Sequence, residues 1–197
     1  MPSFLCIKCQ ASSVKKGFTL VELLVVLGLL SATVASTLIF LTSSLKGANQ
    51  AAVTGELKQN GQVIMDQLER QIRGAASAKI VAADSNLMLS SPTGTLHIRC
   101  FAPVRPTLNG YIGTSTDPSD APGAGTYTSL TNNTDLISGI NVETCSLTVP
   151  PASAGGLSPA VVAVSFTLTN GISADTLRPD LKGSAYFQTT ISLRQSQ

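Results

Sequence analysis

From Phe18 to about Leu41 the chain has almost no polar interruption, and this run limits everything else the sequence can build. As a helix, these twenty-four residues extend about 36 Å at about 1.5 Å each. That is enough to cross a hydrocarbon core of about 30 Å with some tilt. One ionisable residue lies inside the run, Glu22. A carboxylate within a span costs roughly 3 kcal/mol on insertion scales, which marks Glu22 as a functional group in need of a partner. Ahead of the run stands a short basic leader ending Lys15-Lys16-Gly17.

An ordinary secretory signal would place its apolar stretch before a small-residue cleavage site. Thr33-Val34-Ala35 offers such a site and would leave Ser36 first. That apolar stretch would then contain Glu22, and such stretches avoid charge.

Gly17-Phe18-Thr19-Leu20-Val21-Glu22-Leu23, with the apolar helix behind it, resembles the type IV prepilin signal residue for residue. The likeness is strict only over roughly the first quarter of the chain. It implies that a membrane peptidase/methyltransferase cuts between Gly17 and Phe18 and methylates the new Phe18 amine, with Lys15 and Lys16 as the leader charge. It also implies that Phe18 and Glu22 guide assembly with other pilin-like subunits and the membrane assembly machinery. The product would be a type IV pilus, a competence filament or a type II secretion pseudopilus. No cofactor and no metal is implied. The alternative from another class is a membrane-anchored extracytoplasmic binding module that never polymerises, and cleavage at Gly17 separates the two.

Three of the thirteen basic residues, Lys8, Lys15 and Lys16, lie in the leader, which has no acid. The remainder of the chain carries ten basic and eleven acidic residues, so it offers no electrostatic footprint for nucleic acid. The leader lysines favour a cytoplasmic N-terminus with the bulk of the chain outside. Cys6 and Cys9 form a C-x-x-C within a leader that is discarded in the reducing compartment, and nothing completes a zinc site. Cys100 and Cys145 are the two thiols left in the mature chain, on the side where disulfides persist, and are expected to pair.

Four parts are expected: a leader at 1–17, a membrane or filament-core helix at 18–41, an amphipathic spine at 42–76 and a β-sheet domain at 77–197. Val53, Leu57, Ile64, Leu68 and Ile72 recur at helical spacing, so one long helix should run from about Phe18 to Ala76. Asp66 with Arg70, and Glu69 with Arg73, are acid-first pairs four residues apart. Gly47, Gly55 and Gly61 read as points of bending. The segment 18–41 contains no proline, so no proline kink is expected there.

Short extended runs at 78–82 and 87–90 flank a turn at Asp84-Ser85-Asn86, and Ser91-Pro92-Thr93-Gly94 makes a second turn. Alternation then marks strands at 96–101, 140–149, 161–169 and 185–193, with Pro150-Pro151, Gly155-Gly156 and Pro179 as punctuation. The stretch 102–135, with Pro103, Pro106, Pro118 and Pro122, reads as a long surface insertion without regular structure. The fold class expected is α+β, pilin-like, a long helix against an antiparallel sheet.

No motif for hydrolysis, phosphate or dinucleotide binding occurs, so no enzymatic activity is expected. The single histidine, His97, is expected on the solvent face of its strand. Asp117 with Asp120, and Asp175 with Asp180, lack the spacing of a calcium loop and read as solvated acids. The spine 66–73 and the C-terminal strand look most like those of a minor subunit.

Overall fold

In the computed structural model of the protein, residues 17–81, 86–150, 160–173 and 182–193 are described. They fall into two compact units divided between Ser44 and Leu45. The leader residues before Gly17, the turn at Asp84-Ser85, and Pro151, Gly155, Gly156, Asp175, Pro179 and Asp180 lie outside them.

A helix, α1, runs from Leu20 to Arg73. It is two or three residues shorter at each end than the sequence suggests. Thr19 stands before it as a cap, and Gly74 leads out, its N–H donating to Arg70 O at 3.1 Å. Within the second unit, Leu57, Gly61, Ile64, Met65, Leu68 and Ile72 of α1 are buried at three- and four-residue spacing, the single face expected. Of the two expected ion pairs on α1, only Glu69 and Arg73 are joined, at 2.5 Å.

Two antiparallel sheets follow. The first has the order β1-β2-β3-β4-β5: β1 Ser77–Val81, β2 Asn86–Ser91, β3 Gly94–Phe101, β4 Tyr111–Ser115 and β5 Thr128–Ser129. The second has the order β6-β7-β8: β6 Ile140–Thr148, β7 Val161–Asn170 and β8 Ser184–Ser192. The architecture is α+β, as expected. Alternation decides which side chains face the core. Val162, Val164, Phe166 and Leu168 of β7 are fully buried, as are Leu87 of β2, Ile98 of β3 and Ile112 of β4. On β8, Ala185, Phe187 and Ile191 point inward while Tyr186 is exposed. The β2–β3 turn ends on Gly94 at φ +142°, a conformation that a side chain would disfavour.

The stretch 102–135 is more regular than the sequence suggests. It contains β4, the short β5 and a 3-10 turn at Ala124–Thr126. Its prolines fall outside these elements, and the five residues Tyr111–Ser115 pair along β3 through Phe101↔Tyr111 and His97↔Ser115. Five residues are too few to raise a clear period against so many turn formers.

The two sheets meet along a polar seam. Buried Asn109 donates from Nδ2 to Asp135 O at 2.6 Å and accepts from Ile172 N–H at 2.9 Å. Buried Asn141 accepts from Gly110 N–H at 2.8 Å, and Val142 N–H donates to Gly110 O at 2.9 Å. A disulfide joins Cys100 of β3 to Cys145 of β6, with Cα atoms 5.9 Å apart.

Candidate processing and assembly site

The N-terminal end of α1 is built by local chemistry. Thr19-Leu20-Val21-Glu22 has the S/T-x-x-E form of a capping box, a local signal for a helix start. One half of it is made: Thr19 Oγ1 accepts from Glu22 N–H at 3.2 Å. Thr19 O also accepts from Leu23 N–H at 3.2 Å, closing the first turn. Glu22 therefore lies in the first turn of the helix, where a negative charge complements the helix dipole. Its carboxylate is exposed, with no hydrogen bond or ion pair among the described residues.

Phe18, Leu20 and Val21 are 67–76% exposed, and the apolar side chains behind them remain exposed as far as Leu45. This surface is the dominant physical property of the first unit. Burying such a stripe requires lipid or other helices, since none of its apolar window is buried among the described residues. The polar residues inside the run do not contradict that environment. Ser31, Thr33, Ser36 and Thr37 each donate their hydroxyl to a carbonyl three or four residues earlier, at 2.9 to 3.1 Å. Thr42 and Ser43 do the same at 3.0 and 2.9 Å. Hydroxyls satisfied this way enter hydrocarbon without an unpaired donor. By length and composition this helix can cross a membrane.

Gly17 is exposed, and a Cβ placed on it would meet nothing within 4 Å among the described residues. Lys15 and Lys16 lie outside the described residues.

Elsewhere the polar chemistry is mostly internal. Arg105 holds Glu143 with Nη2 donating to both carboxylate oxygens at 2.9 and 3.0 Å, on the wall of a polar cleft of about 500 Å3. The Asp117 carboxylate accepts from Ser119 N–H at 2.9 Å, which lowers its pKa. Asp120 faces Lys79 at 3.8 Å across an exposed gap. Asp135 takes hydrogen bonds from the Ser138 hydroxyl and from the N–H groups of Ile137 and Ser138, and its pKa falls accordingly.

The expectation for His97 is overturned. It does lie on the sheet face opposite the helix-packed core, beside Met88 and Ser115. Yet it is fully buried, and Asp117 and Asp120, on the chain after β4, are among the charges that act on it. Tyr127 packs edge-on against Phe101 at 5.3 Å, and Phe101 stacks on Tyr111 at 4.4 Å. Gly113 is the floor of this aromatic cluster, since a Cβ there would crowd Phe101 and Tyr127 at 3.0 Å. Alternation identified the face but could not reveal what covers it.

Residues 12–38 match the family model described as the prokaryotic N-terminal methylation motif. The matched stretch contains Gly17, Phe18, Thr19 and Glu22 and ends within the exposed apolar helix. No curated protein and no solved structure is similar enough to the chain to count as a match.

Proposed function

Because the chain is a type IV prepilin-like protein, we propose that it is a structural filament subunit of the minor class. It is a substrate of prepilin peptidase, which cuts between Gly17 and Phe18 and methylates the Phe18 amine. Lys15 and Lys16 hold the leader on the cytoplasmic side, and the domain at 77–197 lies outside. After cutting, 18–41 leaves lipid for the core of a pilus or pseudopilus, and the spine 42–76 carries the domain outward. Partners are other pilin-like subunits, the peptidase/methyltransferase and the membrane assembly machinery. The minor assignment rests on the arginine-bearing spine Asp66–Arg73 and the form of the last strand.

The observation that carries this reading is the methylation motif set directly against a helix whose apolar side chains have no cover among the described residues. Intact-mass analysis of membrane-extracted protein tests it. The expected species begins at Phe18 with one added methyl. A chain still beginning at Met1, or one beginning at Ser36, removes the proposal.

A further inference from the structure

The outer face of the first sheet carries a buried polar group that none of the foregoing uses. His97 has no exposed surface, and its Nδ1 lies 3.2 Å from the Asn86 side-chain nitrogen. An amide donor at that distance fits a neutral ring that carries its hydrogen on Nε2. Among the described residues Nε2 has no partner, nor has Asn86 Oδ1. The Tyr127 hydroxyl lies near Asn86 but outside hydrogen-bond geometry. A second proton on the ring would therefore leave two N–H donors in a buried site without an acceptor for either as now arranged.

The cover over this ring is lightly held. Between Thr116 and Thr126 only Pro122 is buried. Asp117 N–H reaches Ser115 Oγ at 3.3 Å, and the Ser115 hydroxyl reaches Thr126 Oγ1 at 3.3 Å, both long for their type. The Lys79–Asp120 pair, at 3.8 Å between exposed groups, adds little. Of the segment's own side chains only Pro122 and Tyr127 leave buried positions when it lifts, and lifting returns the ring to water.

We propose that this face is an acid-sensitive latch: protonation of His97 releases the segment 116–127 and uncovers the aromatic surface of Phe101, Tyr111 and Tyr127. The charged groups around the ring are Asp117 and Asp120 from the covering segment, Lys79 from β1 and Arg99 on β3 itself. Burial lowers the pKa of His97; Asp117 and Asp120 oppose this from a distance, and Lys79 reinforces it. A lowered value favours the closed form fully above the ordinary histidine range. That advantage is lost as pH falls from about 6.5 towards the closed-state value. The proton comes from solvent to Nδ1, and Asn86 must turn or withdraw to admit it.

Hydrogen exchange of the full chain in detergent micelles, corrected for intrinsic rates, tests the latch at pH 7.5 and 5.5. Protection of 116–127 should fall several-fold at the lower pH, with a ceiling of about tenfold. His97→Gln should hold that protection level between the two conditions. Unchanged protection in the native chain overturns the proposal. An equal response in His97→Gln also overturns it and assigns the effect to the carboxylates. Should His97→Gln not fold, the native ring decides, and with one histidine in the chain its NMR titration is unambiguous. A midpoint below the ordinary value that coincides with loss of protection supports the latch, and a midpoint at or above it does not.

Discussion

A methyl group at position 61 would occupy space already filled by the ring of Phe187. Gly55, six residues earlier in the same helix, has nothing within 4 Å of such a methyl among the described residues. Helix propensity alone makes Gly→Ala worth up to about 1 kcal/mol at either site. The two substitutions should therefore diverge. Gly55→Ala should raise the denaturation midpoint, whereas Gly61→Ala should cost roughly 1–3 kcal/mol through overpacking. If both stabilise alike, Phe187 can move aside. In the sequence both glycines look like bending points, because propensity is local while contact with β8 is not. Asn109 presents the same difficulty. Asn-Gly reads as a turn, yet here the amide is fully buried and joins Asp135 O to Ile172 N–H across the seam. Asn109→Leu strands both backbone groups and should cost roughly 3 kcal/mol in chemical denaturation. A loss under about 0.5 kcal/mol would show that the seam re-forms around water.

Among the elements, strands with a full period-two pattern were legible. β7 and β8 bury the side chains that alternation selects, and the spine of α1 buries its expected stripe. β4 was not legible, because its hydrogen bonds to β3 specify it more than its five residues do. The first turn of α1 was legible in principle, since Thr19 and Glu22 stand three apart. Thr19→Ala should fray that turn at a cost of about 1 kcal/mol, read as lost protection of the Glu22 and Leu23 amides. The two sheets are tied by Cys100–Cys145, which closes a loop with a sequence separation of 45. In the chain-entropy model such a closure contributes roughly 4 kcal/mol. The double variant Cys100→Ala/Cys145→Ala should lose stability on that scale, and non-reducing peptide mapping should recover the bridged pair.

At the level of the whole molecule, two features of the N-terminus can be tested independently of folding. A Cβ on Gly17 meets nothing within 4 Å among the described residues, so Gly17→Val should insert and fold as the native chain does yet resist cutting. A folding defect in that variant would place the glycine requirement in this chain rather than in the peptidase. Glu22→Gln and Glu22→Val should both be cut at Gly17 but enter filaments poorly, on the proposal that the Glu22 carboxylate pairs with the Phe18 amine of a neighbouring subunit. Normal entry of Glu22→Val into sheared filaments would assign recruitment to apolar helix packing alone. A filament also bears load, and there the bridge between the sheets acquires another meaning. Stretched by its ends, the oxidised chain cannot release the residues between Cys100 and Cys145. Its fully extended contour should be shorter than that of the reduced chain by about 150 Å, from a separation of 45 residues at about 3.4 Å each. Single-molecule pulling with and without reductant should record that difference, and equal contour lengths would mean the bridge carries no tension.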